Sequence, residues 1–331
     1  MSVNRIRFMQ ASLLAGLCGP AAIGSRNASA SDATLSIDSP NLFPESMAYL
    51  ASTVRFYVGS IRYGRISSVD ANGTIETLCE DPRLKSTFGI IADESRGVVH
   101  ACNADVGISV RSRASDVGHV CSLATIDART GAVRRYVDLS DLQAGRHLPN
   151  DAAIAGDGSI YVTDSFSPVV YRISRGGRAE HFVSDVRFAA SGTAAGLDGI
   201  AIASSGTIIV NHISHGTFFR IDPRTRAVSQ IAIAGGANLK GCDGMRFERD
   251  GRLIFAQSIL AGPSRNALNA LISHDDWKTA SISKTWALSA TTYQSVRTKA
   301  GVYGVQSQLE QLFRNPKSAR VFGFRIVRIS S

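Results

Sequence analysis

The chain has 331 residues, 44% of them hydrophobic and 19% charged, so it can bury a sizeable core. Its formal charge is +9; Arg5, Arg7 and Arg26 supply three of those positives, which leaves +6 (9 − 3) spread without a cluster. That distribution argues against a nucleic-acid surface, which needs a basic stripe.

The first 30 residues hold no acid and read as a targeting segment. Arg5 and Arg7 form a positive start, Phe8 to Ile23 a short apolar run, and Ala28 to Ala30 an A-x-A cleavage site. Residues 1–30 are therefore expected to be a signal peptide, and 31–331 a periplasmic or secreted protein. The apolar run is too short and interrupted to span a membrane, and no other stretch could. Leu17 before Cys18 does not suit a lipobox, and Ile6 separates the two arginines, so no twin-arginine signal is formed. Cleavage would leave Cys79, Cys102, Cys121 and Cys242, with no C-x-x-C. Four cysteines allow three pairings, and buried free thiols are an equal alternative.

The mature chain repeats one phrase. With the turn glycine as a ruler, a key slot lies eight residues upstream of it. Taken in order, the slots are Glu45 in "PESMAYLASTVRFYVGS", Gly89 in "FGIIADESRGVVHAC" and Asn150 in "PNDAAIAGDGSIYVTD". They continue with Asp198 in "GLDGIAIASSGTIIV", Asp243 in "GCDGMRFERDGRLIF" and Thr292 in "TTYQSVRTKAGVYGVQS". The first fits within one residue, and the last needs Ala300 in place of the glycine. Their spacings are 44, 61, 48, 45 and 49, and the long gap predicts an insertion around "DLSDLQAGRHLP".

Such periods of short strands and polar turns predict an all-β fold, a six-bladed β-propeller with a central divalent-cation site. The fourth unit reads as four strands, "GIAIA", "TIIVN", "GTFFRID" and "AVSQIAI", rich in Val, Ile, Phe and Thr. "VFGFRIVRI" remains at the end to supply a closing strand. In a propeller the first strand of each blade lines the channel, so the slots share one mouth. Glu45, Asn150, Asp198 and Asp243 would then converge as oxygen ligands of a hard cation such as calcium. Gly89 and Thr292 would leave room for water and substrate. Fourteen residues after each slot stand Gly59, Asn103, Asp164, His212, Gln257 and Gln306. The last five form an expected substrate-binding ring.

The phrases "FPES", "LPNDAA", "GLDGIAI", "GCDGM" and "VYGVQSQLEQLF" make the chain similar to a known family over roughly residues 42–328. It resembles the senescence marker protein (regucalcin)/gluconolactonase/luciferin-regenerating enzyme family and, more distantly, paraoxonases and squid-type diisopropylfluorophosphatase. The resemblance implies a divalent cation held by Glu45, Asn150 and Asp243. Asp198 departs from it, since relatives usually carry Asn there; an alignment on "N-G-L-D" would instead put Ala195 in that place. It also implies metal-assisted hydrolysis of a small-molecule lactone or ester; beside the cation, Asp243 and Asp198 are the candidate bases to activate water, with pure ligation as the alternative, and His212 is a candidate proton shuttle or substrate hydrogen-bond donor. No G-x-S-x-G elbow and no H-E-x-x-H helix occurs. The alternatives are a non-catalytic binding module that uses the cation structurally, and a strictosidine-synthase-like enzyme.

Overall fold

Short strands such as Val98–Ala104, Cys121–Asp127 and Ile208–His212 are buried along their whole length, so each sheet has two faces to cover and the sheets must stack on one another. In the computed structural model six antiparallel sheets do so, forming a six-bladed β-propeller. The structure describes residues 34–190, 192, 194–260 and 265–329. The chain divides into Met1–Ser31 and one compact unit, Asp32–Ser331. The expected signal peptide lies outside the described residues. Among those that are described, no helix is long and apolar enough to cross a membrane.

The innermost strands, in blade order, are Met47–Leu50, Ser86–Asp93, Pro149–Ile154, Leu197–Ile202, Cys242–Phe247 and Ser295–Thr298. Each packs against the next, and the last packs against the first, which closes the ring. Blade 4 follows the sequence reading: Leu197–Ile202, Ile208–His212, Thr217–Ile221 and Val228–Gln230. The short strand Ala232–Ile233 leaves it to run parallel to the outermost strand of blade 5, Thr279–Ala287.

Two expectations about chain organisation are corrected. The C-terminal Gly323–Ile329 is the third strand of blade 6 rather than its closing strand. The ring is closed by Leu35–Asp38, which pairs with it antiparallel, Leu35 opposite Ile326 and Asp38 opposite Gly323. Without that pairing the sixth blade would end on an open edge. The extra length after Gly89 lies at 105–120, between the second and third strands of blade 2, Val98–Ala104 and Cys121–Asp127. "DLSDLQAGRHLP" is an ordinary link between blades 2 and 3. Cys79, Cys102, Cys121 and Cys242 are buried free thiols.

The inner strands share one local device. In blades 2 to 5 the ladder shifts register, between Thr87 and Ile90, Pro149 and Ala152, Leu197 and Ile200, and Cys242 and Met245. Two residues are thereby bulged in each strand. The second of the pair abuts the next inner strand. A Cβ on Gly199 would stand 2.7 Å from the Asp243 carbonyl oxygen, and one on Gly89 would stand 2.5 Å from that of Asn150. The glycine of the repeated Asp-Gly is thus required by close approach of neighbouring blades. Gly199→Val is expected to destabilise the protein by about 1–3 kcal/mol, as overpacking does. Chemical denaturation against the parent measures it.

Candidate functional site

The first residue of each bulge faces the axis. Register sets the correspondence: Asn150, Asp198 and Asp243 each follow the residue opposite the end of the second strand. In blade 2 Thr87 lies opposite Asn103, so the axial residue is Phe88 and not Gly89. In blade 6 Ser295 lies opposite Gly304, which makes Tyr293 axial and not Thr292. The slip has a simple cause. Blades 3 to 5 turn through five residues, as from Ile154 to Ile160. Blade 2 turns through four, between Asp93 and Val98, and blade 6 through two, between Thr298 and Gly301. A count from the turn then misses by one.

Glu45, Asn150, Asp198 and Asp243 line one cavity of about 490 Å³ together with Phe88. All four are less than 10% exposed. The arc expected to be open is filled instead. Phe88 and Tyr293 belong to one buried apolar cluster with Leu148 and Leu309. The Tyr293 hydroxyl donates to Glu310 and accepts from the Leu309 N–H at 2.9 Å, holding the short helix Leu309–Arg314 at the mouth.

The polar side is incompletely bonded. Asn150 Nδ2 donates to Ser165 Oγ at 2.9 Å and to Asp198 Oδ2 at 3.1 Å. Asn150 Oδ1, Asp198 Oδ1 and Glu45 Oε2 are buried without a hydrogen-bond partner. Buried polar atoms are normally satisfied, so three orphans in one cavity require a reason. Burial raises the pKa of Glu45 well above the carboxylate range, helped by the charges of Asp243 and Asp151 and opposed by Arg246. Asp198 is raised by burial, then by Asp243 and Glu45. Asp243 is pushed up to about 7 by burial, against the Gly244 N–H that donates to it at 2.9 Å.

Beneath them lies an ion pair absent from the sequence reading. Arg246 donates from both terminal nitrogens to Asp151, at 2.7 and 2.9 Å. Asp151 is the second bulge residue of blade 3, the place held by glycine in blades 2, 4 and 5. Arg246 also lines a cavity of about 350 Å³ on the far side, walled by aliphatic residues of the inner strands. Four interacting carboxylates thus face one guanidinium, a surplus of three negative charges (4 − 1) if all ionise. Such a surplus is tolerable only with bound protons or a cation.

The five residues of the expected second ring do not join this cavity. Residues directly opposite in a ladder share a face, and successive residues alternate. Asn103, Asp164, His212 and Gln257 are opposite the residue before the axial one, so they point sideways into links between strands. Asn103 accepts from Lys85 N–H at 2.7 Å and donates to Ser122 Oγ. His212 bonds the Ala189 carbonyl through Nε2 and the His215 N–H through Nδ1, and stacks on His215 at 3.9 Å. Both ring nitrogens are thereby occupied. Gln257 donates to the carbonyls of Asn238 and Lys240. Gln306 donates to Thr292 Oγ1 at 3.2 Å. The blade 1 counterpart is Ser60 rather than Gly59, and it donates to the Leu42 carbonyl.

Asp164 belongs to a separate group with Cys121 and His147, whose ligand atoms lie within 4.8 Å of one another and could hold a metal ion. Its hydrogen bonding gives it another role. Asp164 Oδ1 accepts from the N–H groups of Leu148, Phe166 and Ser167, and Oδ2 from His147 Nδ1 at 2.8 Å and the Tyr171 hydroxyl at 3.0 Å. The carboxylate therefore fixes the segment that leads into Asn150.

No protein-family model and no curated protein matches the chain. Solved structures do. The major allergen Mala s 1 of Malassezia sympodialis is 17% identical, with a TM-score of 0.69 over 90% of this chain and 96% of its own. A putative gluconolactonase is 14% identical, TM-score 0.61, over 91% and 93%. A calcium-binding regucalcin from Agrobacterium tumefaciens is 14% identical, TM-score 0.59, over 88% and 92%. At such identities the likeness establishes the fold.

The raised carboxyls give a pH prediction for the metal-free protein. The folded state keeps protons that the unfolded chain releases near the ordinary value of 3.8. Their contribution is fully present below that pH and is lost as pH rises through about 7, the Asp243 value. With chelator present, thermal scans should show a melting temperature that falls between about pH 4 and pH 7, and added calcium should reduce that fall.

Proposed function

We propose that the protein is an exported, calcium-dependent hydrolase of the lactonase type. The observation that carries this reading is the set of three orphaned buried oxygens beside Asp243, in a cavity with more acid than base. Glu45 Oε2, Asn150 Oδ1 and Asp198 Oδ1 are hard, preorganised donors from three blades, and Asp243 would be the fourth ligand. The gluconolactonase and calcium-binding neighbours share the fold and support the same direction.

The bound cation would polarise the ester carbonyl and favour the ionised carboxylates. The remaining chemistry rests with this chain. Asn150 holds Asp198 through its amide N–H. Asp243, kept ionised beside the cation, would take a proton from water attacking the carbonyl carbon, and later return it to the ring oxygen that leaves. Phe88 and Tyr293 close the opposite arc and keep bulk water from the carboxyls. The non-catalytic binding module differs from this reading in one measurable respect, turnover.

Glu45→Gln and Asp243→Asn are expected to abolish most lactone hydrolysis and to shrink the calcium-induced rise in melting temperature seen in the parent. Asp198→Asn should retain more of both than Asp243→Asn does. Calcium stabilising all variants like the parent would refute the shared site. Turnover that survives chelator would refute metal dependence.

Export rests on the basic start, apolar run and A-x-A of residues 1–30. Mass spectrometry of the protein from a periplasmic or medium fraction should give a chain that begins near Ser31. An intact Met1 in a cytoplasmic fraction would sink the idea.

A further inference from the structure

The wall above the carboxyls has a composition that the hydrolase reading does not itself require. Around the mouth stand Val106, Ile108, Phe166 and Leu260, each half-buried, with Phe313 39% exposed at the rim. Val106 and Ile108 come from the blade 2 insertion at 105–120, which is anchored by Ser109 and Val110 to the Arg62 carbonyl. Among the described lining residues, the only polar side chain besides the four axial ligands is Ser214, and its hydroxyl donates to the Ala195 carbonyl at 2.6 Å.

A polyhydroxylated ring seated here would bury several hydroxyls against hydrocarbon. Each hydroxyl left unpaired there would lose its hydration without a compensating hydrogen bond. An alkyl substituent would instead cover the same wall with hydrocarbon, and each methylene removed from water favours binding. A concave, mostly apolar wall with a few convergent polar groups at its base is the usual form of a small-molecule site.

We propose that this site takes lactones or esters that carry a hydrocarbon substituent, with the ester group at the carboxyls and the chain along Val106, Ile108 and Phe166, and that it discriminates against sugar lactones. The proposal rests on the hydrolase reading for the orientation of the ester; the apolar wall itself does not depend on turnover.

The test separates the two. Calorimetry in calcium compares two non-hydrolysable lactams, 6-pentylpiperidin-2-one and gluconolactam. The alkyl lactam should bind at least about tenfold more tightly, which corresponds to 1.4 kcal/mol. Ile108→Asn should weaken it several-fold and leave the calcium-induced rise in melting temperature unchanged, which shows that the variant is folded. Phe166→Ser should do the same from the neighbouring blade 3. Equal binding of the two lactams, or preference for gluconolactam, overturns the proposal. Hydrolysis of δ-decalactone and glucono-δ-lactone is then measured separately. Selective lactam binding with no turnover of either lactone would remove the hydrolase reading and support the apolar ligand class. Turnover of glucono-δ-lactone above δ-decalactone would support the hydrolase and overturn the ligand class.

Discussion

The site depends on a two-residue bulge at the start of the inner strands of blades 2 to 5. An unbroken ladder would alternate its side chains between the two blade-to-blade interfaces and send none down the axis. The bulge in blades 2 to 5 turns its first residue inward and presses its second against the neighbouring strand. That pressure explains why Gly89, Gly199 and Gly244 occupy the second place. It also explains why the exception is informative. Asp151 can stand there because Arg246 reaches across and binds both of its oxygens. The same irregularity that packs the ring therefore delivers the acids to its centre.

Around this centre the fold spends many polar groups on holding backbone. Asp164 receives three N–H groups and three side-chain donors, His147, Tyr171 and the Cys121 thiol, and it fixes the approach to Asn150. His212 and Gln257 do similar work for the links after blades 3 and 4. These residues are buried and satisfied, whereas Glu45, Asn150 and Asp198 are buried and are not. What marks the site is that three such atoms meet in one cavity, whereas other buried unpaired atoms, such as His100 Nε2 and Gln306 Oε1, lie outside it.

Much of this was legible in the repeat. Six units of similar period yield six blades because each unit carries its own strands and turns. Asn150, Asp198 and Asp243 fall in one frame because their hairpins share a five-residue turn, and Glu45 joins them because its unit fits within one residue. Gly89 and Thr292 were misplaced because hairpin length varies, and one residue of slip changes the face presented. The second ring failed for the same parity reason: a fixed count along the chain cannot tell the axial face from the interface. The wall residues Val106 and Ile108 carry no repeat signal, since they lie in an insertion that only one blade has. The Asp151–Arg246 pair spans 95 residues and has no local signature.

The strand that seals the ring joins opposite ends of the chain. Leu35 meets Ile326 across nearly the whole length of the protein. Contacts of such sequence separation form late, because the loop they close must first lose its entropy. Blades 1 to 5 draw their antiparallel ladders from neighbouring segments and can form as the chain emerges. Blade 6 must await residues synthesised last before it can capture a strand synthesised near the beginning. Ring closure is thus a step of assembly with its own timing, and a chain stopped short of Gly323 would keep an unsealed edge however well its first five blades had formed.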